Sequence, residues 1–174
     1  MISLRDSSLL LAVKGSGYIL LFTGFHFISA CVSEAQKHSN DWSKEEVIRD
    51  VTIMFDQYHK AIEQEGLTAE FNYLDNSPDF FWVPPGYREA LTYDSVRAIL
   101  QGNANGFTRV EFHWDTLQVF PLSNTIASFT GIVNGVMTDT TGSKSPVHII
   151  ESGTVIKRTD GWKLLNGQSV SLIK

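Results

Sequence analysis

The spacing of apolar residues changes once, at Phe107, and that change constrains the fold more than any other feature of the chain. Before it, apolar side chains recur at helical spacing; after it, they alternate. Ser43-Lys44-Glu45-Glu46 has the capping-box form, and behind it Val47, Val51, Met54, Phe55, Tyr58 and Ile62 fall on one helical stripe that Gly66 ends. Ala69 to Leu74 predicts a short second helix, and Tyr93 to Gln101 a third, started by Thr92 or Asp94. Between them Phe80-Phe81-Trp82-Val83 reads as a strand. Pro84-Pro85-Gly86 stops it, because tandem prolines before glycine continue neither strand nor helix.

From Phe107 onward Val110, Phe112 and Trp114 alternate with Glu111, His113 and Asp115, and the apolar phase then flips to Leu117 and Val119. A flip inside one strand predicts a bulge or sharp bend. Thr125 to Asp139 predicts a second long strand, Val147 to Arg158 a third, and Trp162 to Ser171 the last. Asp139 to Ser143 and Thr159-Asp160-Gly161 are the turns between them. Helices first and an antiparallel meander afterwards define an α+β domain, with the helices covering one face of a curved sheet.

The segment before this domain reads as an address. Arg5 and Lys14 give a positive leader, Tyr18 to Ile28 is uncharged and mostly apolar, and the only cysteine, Cys31, follows Ser29-Ala30. That order defines a secretory signal, too short in its apolar part for a span of about 20 residues. Ser29-Ala30-Cys31 resembles the lipobox of bacterial lipoproteins. The resemblance implies cleavage before Cys31 and a lipid on its sulfur. Val32 at the next position resembles the outer-membrane sorting pattern. The expected organisation is therefore a signal peptide over 1–30, a lipidated Cys31 with a polar tether over 31–42, and one domain over 43–174, exported and anchored in the cell envelope. A single thiol leaves no intrachain disulfide, so the core alone must stabilise the domain.

Past the leader the chain keeps 12 basic and 18 acidic residues, a balance that attracts neither nucleic acid nor anionic lipid. It has no P-loop, no dinucleotide glycine fingerprint and no Cys/His metal spacing, so neither cofactor nor metal is expected.

The order of elements, the strand ending in Pro84-Pro85-Gly86, the strand with Val133, the turn Asp139–Gly142 and the hairpin Thr159-Asp160-Gly161-Trp162-Lys163-Leu164 together resemble a nuclear-transport-factor-2-like domain of the SnoaL-like or ketosteroid-isomerase-like kind. The resemblance covers about residues 43–172 and implies a cone enclosing an apolar pocket. It is poorly specific for function, since such folds host isomerases, dehydratases, cyclases, hydrolases and non-catalytic modules. In the ketosteroid-isomerase-like kind a carboxylate base precedes a Pro-x-Gly turn. Here Trp82-Val83 stand at that place, and Asp79 lies several residues early.

Dehydratase-like relatives use His and Asp inside the cone. His113 and Asp115, two apart, share a strand face. Pointing inward they make an acid–base pair; pointing outward they are a polar edge. Tyr58, Trp82, Tyr87, Trp114, Phe120 and His148 are the candidates for the pocket wall, with core packing as the competing role. The two functional readings are a lipid-anchored domain that binds a small apolar ligand or serves as an accessory module, and an acid–base enzyme of dehydratase, isomerase or cyclase type. The enzyme would use His113 and Asp115 on a small hydrophobic substrate, and catalysis is left open. Ile126, Ile132 and Val136 on one face of their strand, with Ala127, Phe129, Val133 and Met137 on the other, predict cover on both sides and a homodimer through the sheet.

Overall fold

The computed structural model describes residues 42–172. The expected signal peptide, Cys31 and the expected tether up to position 41 lie outside the described residues. Trp42, assigned to the tether, packs against the core instead.

The first helix, α1, spans Lys44–Glu65. The Ser43 hydroxyl accepts from the Glu46 amide at 3.2 Å, which satisfies one of the free donors of the first turn. Gly66 ends the helix at φ 86°, a left-handed value that glycine adopts without steric cost. The stripe is buried at Val47, Val51, Met54, Phe55 and Ile62, and also at His59. A short 3-10 helix follows over Leu67–Asn72, where the sequence suggested a helix from Ala69 to Leu74. Strand β1 is Phe81–Val83, and helix α2 is Tyr93–Asn103 with Thr92 as its cap.

Strands β2 (Phe107–Pro121), β3 (Ile126–Asp139), β4 (Lys144–Arg158) and β5 (Gly161–Ser171) form the meander. Gly161, at φ 120°, makes the tight turn before β5. The sheet order is β1-β5-β4-β3-β2. One expectation changes here: the sheet is mixed, because β1 pairs with β5 in parallel, Trp82 opposite Gly167. The long connection through α2 and back across the meander lets β1 join the sheet at its far edge without a hairpin.

The phase flip in β2 is a bulge. Trp114 stands opposite Val133 and Thr116 opposite Ile132, so Asp115 is the extra residue. Phe112 and Trp114 on one side of it, and Leu117 and Val119 on the other, therefore all reach the helix-covered face. Phe55 anchors that core with no exposed surface, its ring 4.6 Å from Phe129 and 5.1 Å from Trp114. Truncating such a residue to alanine costs about 3–5 kcal/mol. Close to the far edge, Asp75 is buried beside Arg158. The guanidinium donates to both carboxylate oxygens at 2.7 and 2.8 Å, tying the chain after the 3-10 helix to the end of β4.

Candidate functional site

Between α1, α2 and the concave face of the sheet lies a cavity of about 220 Å³. Its wall is mostly apolar. Leu74, Trp82, Leu91, Leu100, Phe112 and Ile149 supply much of it, and Pro84 and Pro85 lie beside them. Four polar or ionisable side chains, Tyr58, His59, Glu70 and Glu151, share the wall with Ser169.

The Tyr58 hydroxyl on α1 donates to Glu70 Oε2 on the 3-10 helix at 2.8 Å. The Ser169 hydroxyl on β5 donates to Glu151 Oε1 on β4 at 3.0 Å. Both carboxyls keep a little accessible surface because they face the cavity, yet both sit deep in the fold. Loss of water pushes Glu70 up to about 7; the Tyr58 hydrogen bond pulls it down and the neighbouring Glu151 charge raises it. Loss of water likewise pushes Glu151 up to about 7, partly offset by Ser169. Burial and the two carboxylates raise Tyr58 well above its ordinary value, so its hydroxyl stays a donor.

His59 stacks on Trp114 at 5.4 Å and meets the Phe112 ring at 5.9 Å. Burial, with a smaller contribution from His113, lowers it to about 4, so the imidazole is neutral near pH 7. The site thus presents a neutral imidazole, a phenol donor and two carboxyls that give or take a proton near neutrality. Among the described residues, no group of His, Cys, Asp and Glu side chains is placed to hold a metal ion.

The sequence candidates divide. Tyr58 and Trp82 line the cavity. Trp114 does not; it packs in the core behind His59. The pair His113 and Asp115 is corrected: both are exposed, and neither belongs to the wall. His113 pairs with Asn134, which pairs with His148, so this row runs along the opposite face of the sheet from Trp114 and Val133. His148 also leaves the pocket set, its Nδ1 hydrogen-bonded to Asn134 Oδ1 on that outer face. Tyr87 and Phe120 are exposed and line nothing in the cavity.

Glu70, Glu151 and His59 were missed. For two of them a signal existed. Glu151 is in phase with Val147, Ile149 and Val155, and so stands as an acid in an inward register. His59 lies four residues after Phe55 and three before Ile62, on the buried stripe. Glu70 has no such mark, since the 3-10 helix has no long apolar period.

Helices on this curved, unclosed five-stranded sheet make the cone of the nuclear-transport-factor-2-like fold. A nuclear-transport-factor-2-like superfamily protein from Salmonella enterica serovar Typhimurium is 14% identical over 76% of this chain and 95% of its own, with TM-score 0.64. A candidate dehydratase of the same family from Streptomyces avermitilis is 15% identical over 76% of this chain and all (100%) of its own, with TM-score 0.63. A hexachlorocyclohexane dehydrochlorinase of the LinA type is 8% identical over 71% of this chain and 84% of its own, with TM-score 0.57. At these identities the likeness is one of fold. No protein-family model and no curated protein sequence matches the chain.

Proposed function

We propose that the domain holds a small, largely apolar ligand in the cone, with Glu70 and Glu151 meeting the ligand's polar end. The observation that supports this is the cavity itself: about 220 Å³, apolar over most of its wall, with two carboxyls converging from different elements. Pockets of this composition, apolar with a few placed polar groups, are where small molecules bind. Titrating the ¹⁵N-labelled full chain with benzyl alcohol tests it. Amide shifts should concentrate at Trp82, Leu91, Ile149 and Glu151. Shifts confined to Ile132 and Ile150 on the outer face would overturn the reading.

A second reading is favoured by the two carboxyls near neutrality: acid–base removal of a leaving group from a small hydrophobic substrate. One carboxylate takes a proton from carbon while the other, protonated, donates to a departing hydroxyl. Glu70 and Glu151 take the roles first assigned to His113 and Asp115. Water loss from small cyclic hydroxy ketones should appear with the native chain and vanish in Glu70→Gln and Glu151→Gln alike. Retained turnover in both variants would remove the carboxyls from the chemistry.

The same proposal places the chain in the cell envelope, exported and held by a lipid on Cys31. Cys31→Ser should move the protein from the membrane to the soluble fraction. It further pairs two copies through the outer sheet face, where Ile150 and Val170 are exposed cross-strand partners. A single monomeric species in sedimentation at micromolar concentration would count against that pairing.

A further inference from the structure

We propose that the ligand of the cone carries a protonated amine on a small apolar body, and that Glu70 and Glu151 together receive it. The inference rests on the reading that the cavity holds a small ligand and adds its charge.

The argument begins with unused acceptors. Glu70 accepts one side-chain hydrogen bond, from Tyr58, and Glu151 accepts one, from Ser169. The second oxygen of each carboxyl has no hydrogen-bond partner among the described residues. A carboxylate can accept about four. Such spare acceptors in an apolar cavity are costly unless something fills them.

Nothing in the wall, among the described residues, fills them. The titratable groups that face the pair are Tyr58 and His59 from α1 and the two glutamates themselves; β5 adds only the Ser169 hydroxyl. Strand β1, helix α2, β2 and β3 present apolar side chains there, such as Trp82, Ile99, Phe112 and Val133. Among the described residues, no lysine or arginine lines the cavity. Lys157 and Lys163 are engaged elsewhere, with Asp50 and with Asp160, and Arg158 with Asp75.

The sign of the site then selects the ligand. An anionic ligand would add a third acid to a space with no cation. A neutral ligand would leave the two carboxyls repelling each other or sharing a proton. An ammonium lets both ionise and forms charge-assisted hydrogen bonds with each, about twice as strong as neutral ones. Because burial holds both carboxyls near 7, an arriving cation should drive protons off the pair, so binding and proton release are linked. The volume limits the apolar body: 220 Å³ is below the ~300–1,000 Å³ of ordinary ligand sites, so about one ring fits.

The test is calorimetry on the full chain with three one-ring probes of matched shape: benzylamine, benzyl alcohol and benzoate. Benzylamine should bind about tenfold or more tightly than benzyl alcohol, and benzoate weakest. Repeating benzylamine at pH 7 in two buffers of different ionisation enthalpy should show proton release. Glu151→Gln, close to isosteric, should weaken benzylamine about tenfold and reduce the proton release that accompanies its binding. Benzyl alcohol binding as tightly as benzylamine would overturn the inference while the cavity reading stands. If none of the three binds, the cavity reading falls, and this inference with it.

Discussion

Glu151 and Ser169 are direct cross-strand partners on β4 and β5, and the Ser169 hydroxyl donates to Glu151 Oε1 at 3.0 Å. A lone neutral hydroxyl is weak support for a carboxylate this deep, and the carboxyl is held up to about 7. The sign of its effect on stability follows. Unfolded, Glu151 and Glu70 ionise near the ordinary value of 4.5; folded, near 7. The native chain binds more protons between those values, so stability falls as pH rises through that window. His59 acts oppositely, adding stability as pH rises from about 4 to 6.5, but it is one group against two. Glu151→Gln should stabilise the domain by about 1–3 kcal/mol at pH 8 and change little at pH 4.5. Urea unfolding at both values checks this; an equal effect at both would contradict it.

Tyr58→Phe removes the only hydroxyl among the described residues that donates to the Glu70 carboxyl. That hydrogen bond lowers the Glu70 titration, so its loss should raise it further. The carboxyl ¹³C resonance of Glu70, followed against pH, should show an upward displacement, with a stability loss of about 1 kcal/mol. A downward displacement would mean that Tyr58 does not donate to Glu70.

Gly167 gives Trp82 its place in the wall. A Cβ there would lie 2.5 Å from Trp82 Cζ3 and 2.5 Å from the Ser152 carbonyl oxygen. Gly167→Ala should cost about 1–3 kcal/mol and turn the indole, weakening benzyl alcohol binding. The control is Gly102→Ala in α2, whose Cβ would meet nothing within 4 Å. It should be neutral or stabilise by up to about 1 kcal/mol.

The Asp75–Arg158 pair should matter more than a surface ion pair. Asp75 is 5% exposed, and Arg158 holds its carboxyl below the usual range, helped by Ser77. The stability it supplies is present above the ordinary value of 3.8 and lost as pH falls below it. Arg158→Ala should destabilise the domain at pH 7, because it leaves a buried carboxylate without its cation. The guanidinium is partly exposed, which keeps the loss below that of a fully buried pair. Thermal melts of the variant at pH 7 and pH 3 should differ from the native chain mainly at pH 7.

The elements were legible because their signals are local. Ser43 and Gly66 bracket α1, Pro84-Pro85-Gly86 stops β1, and the parity change after Trp114 marks the bulge. The pairing of β1 with β5 was not, since a parallel partner more than eighty residues away leaves no mark near Trp82. The site was legible in part. His113 and Asp115 drew attention as adjacent chemistry on one strand face, but alternation alone does not say which face the helices cover. Trp114, in the opposite phase, settles it by packing on Phe55 and His59. Glu70 was hidden because a 3-10 helix of six residues shows no period from which an inward position can be read.

The bulge at Asp115 has a consequence for how this chain can tolerate change. The two halves of β2 are out of step by one residue, and Asp115, without a cross-strand partner, absorbs the difference. Deleting Asp115 alone would therefore leave Trp114 and Leu117 both on the helix-covered face and replace the bend by unbroken alternation. A residue gained or lost within either half of the strand would instead turn apolar side chains of that half toward water. Single-residue length changes in this strand should therefore be tolerated at the bulge and not within either half.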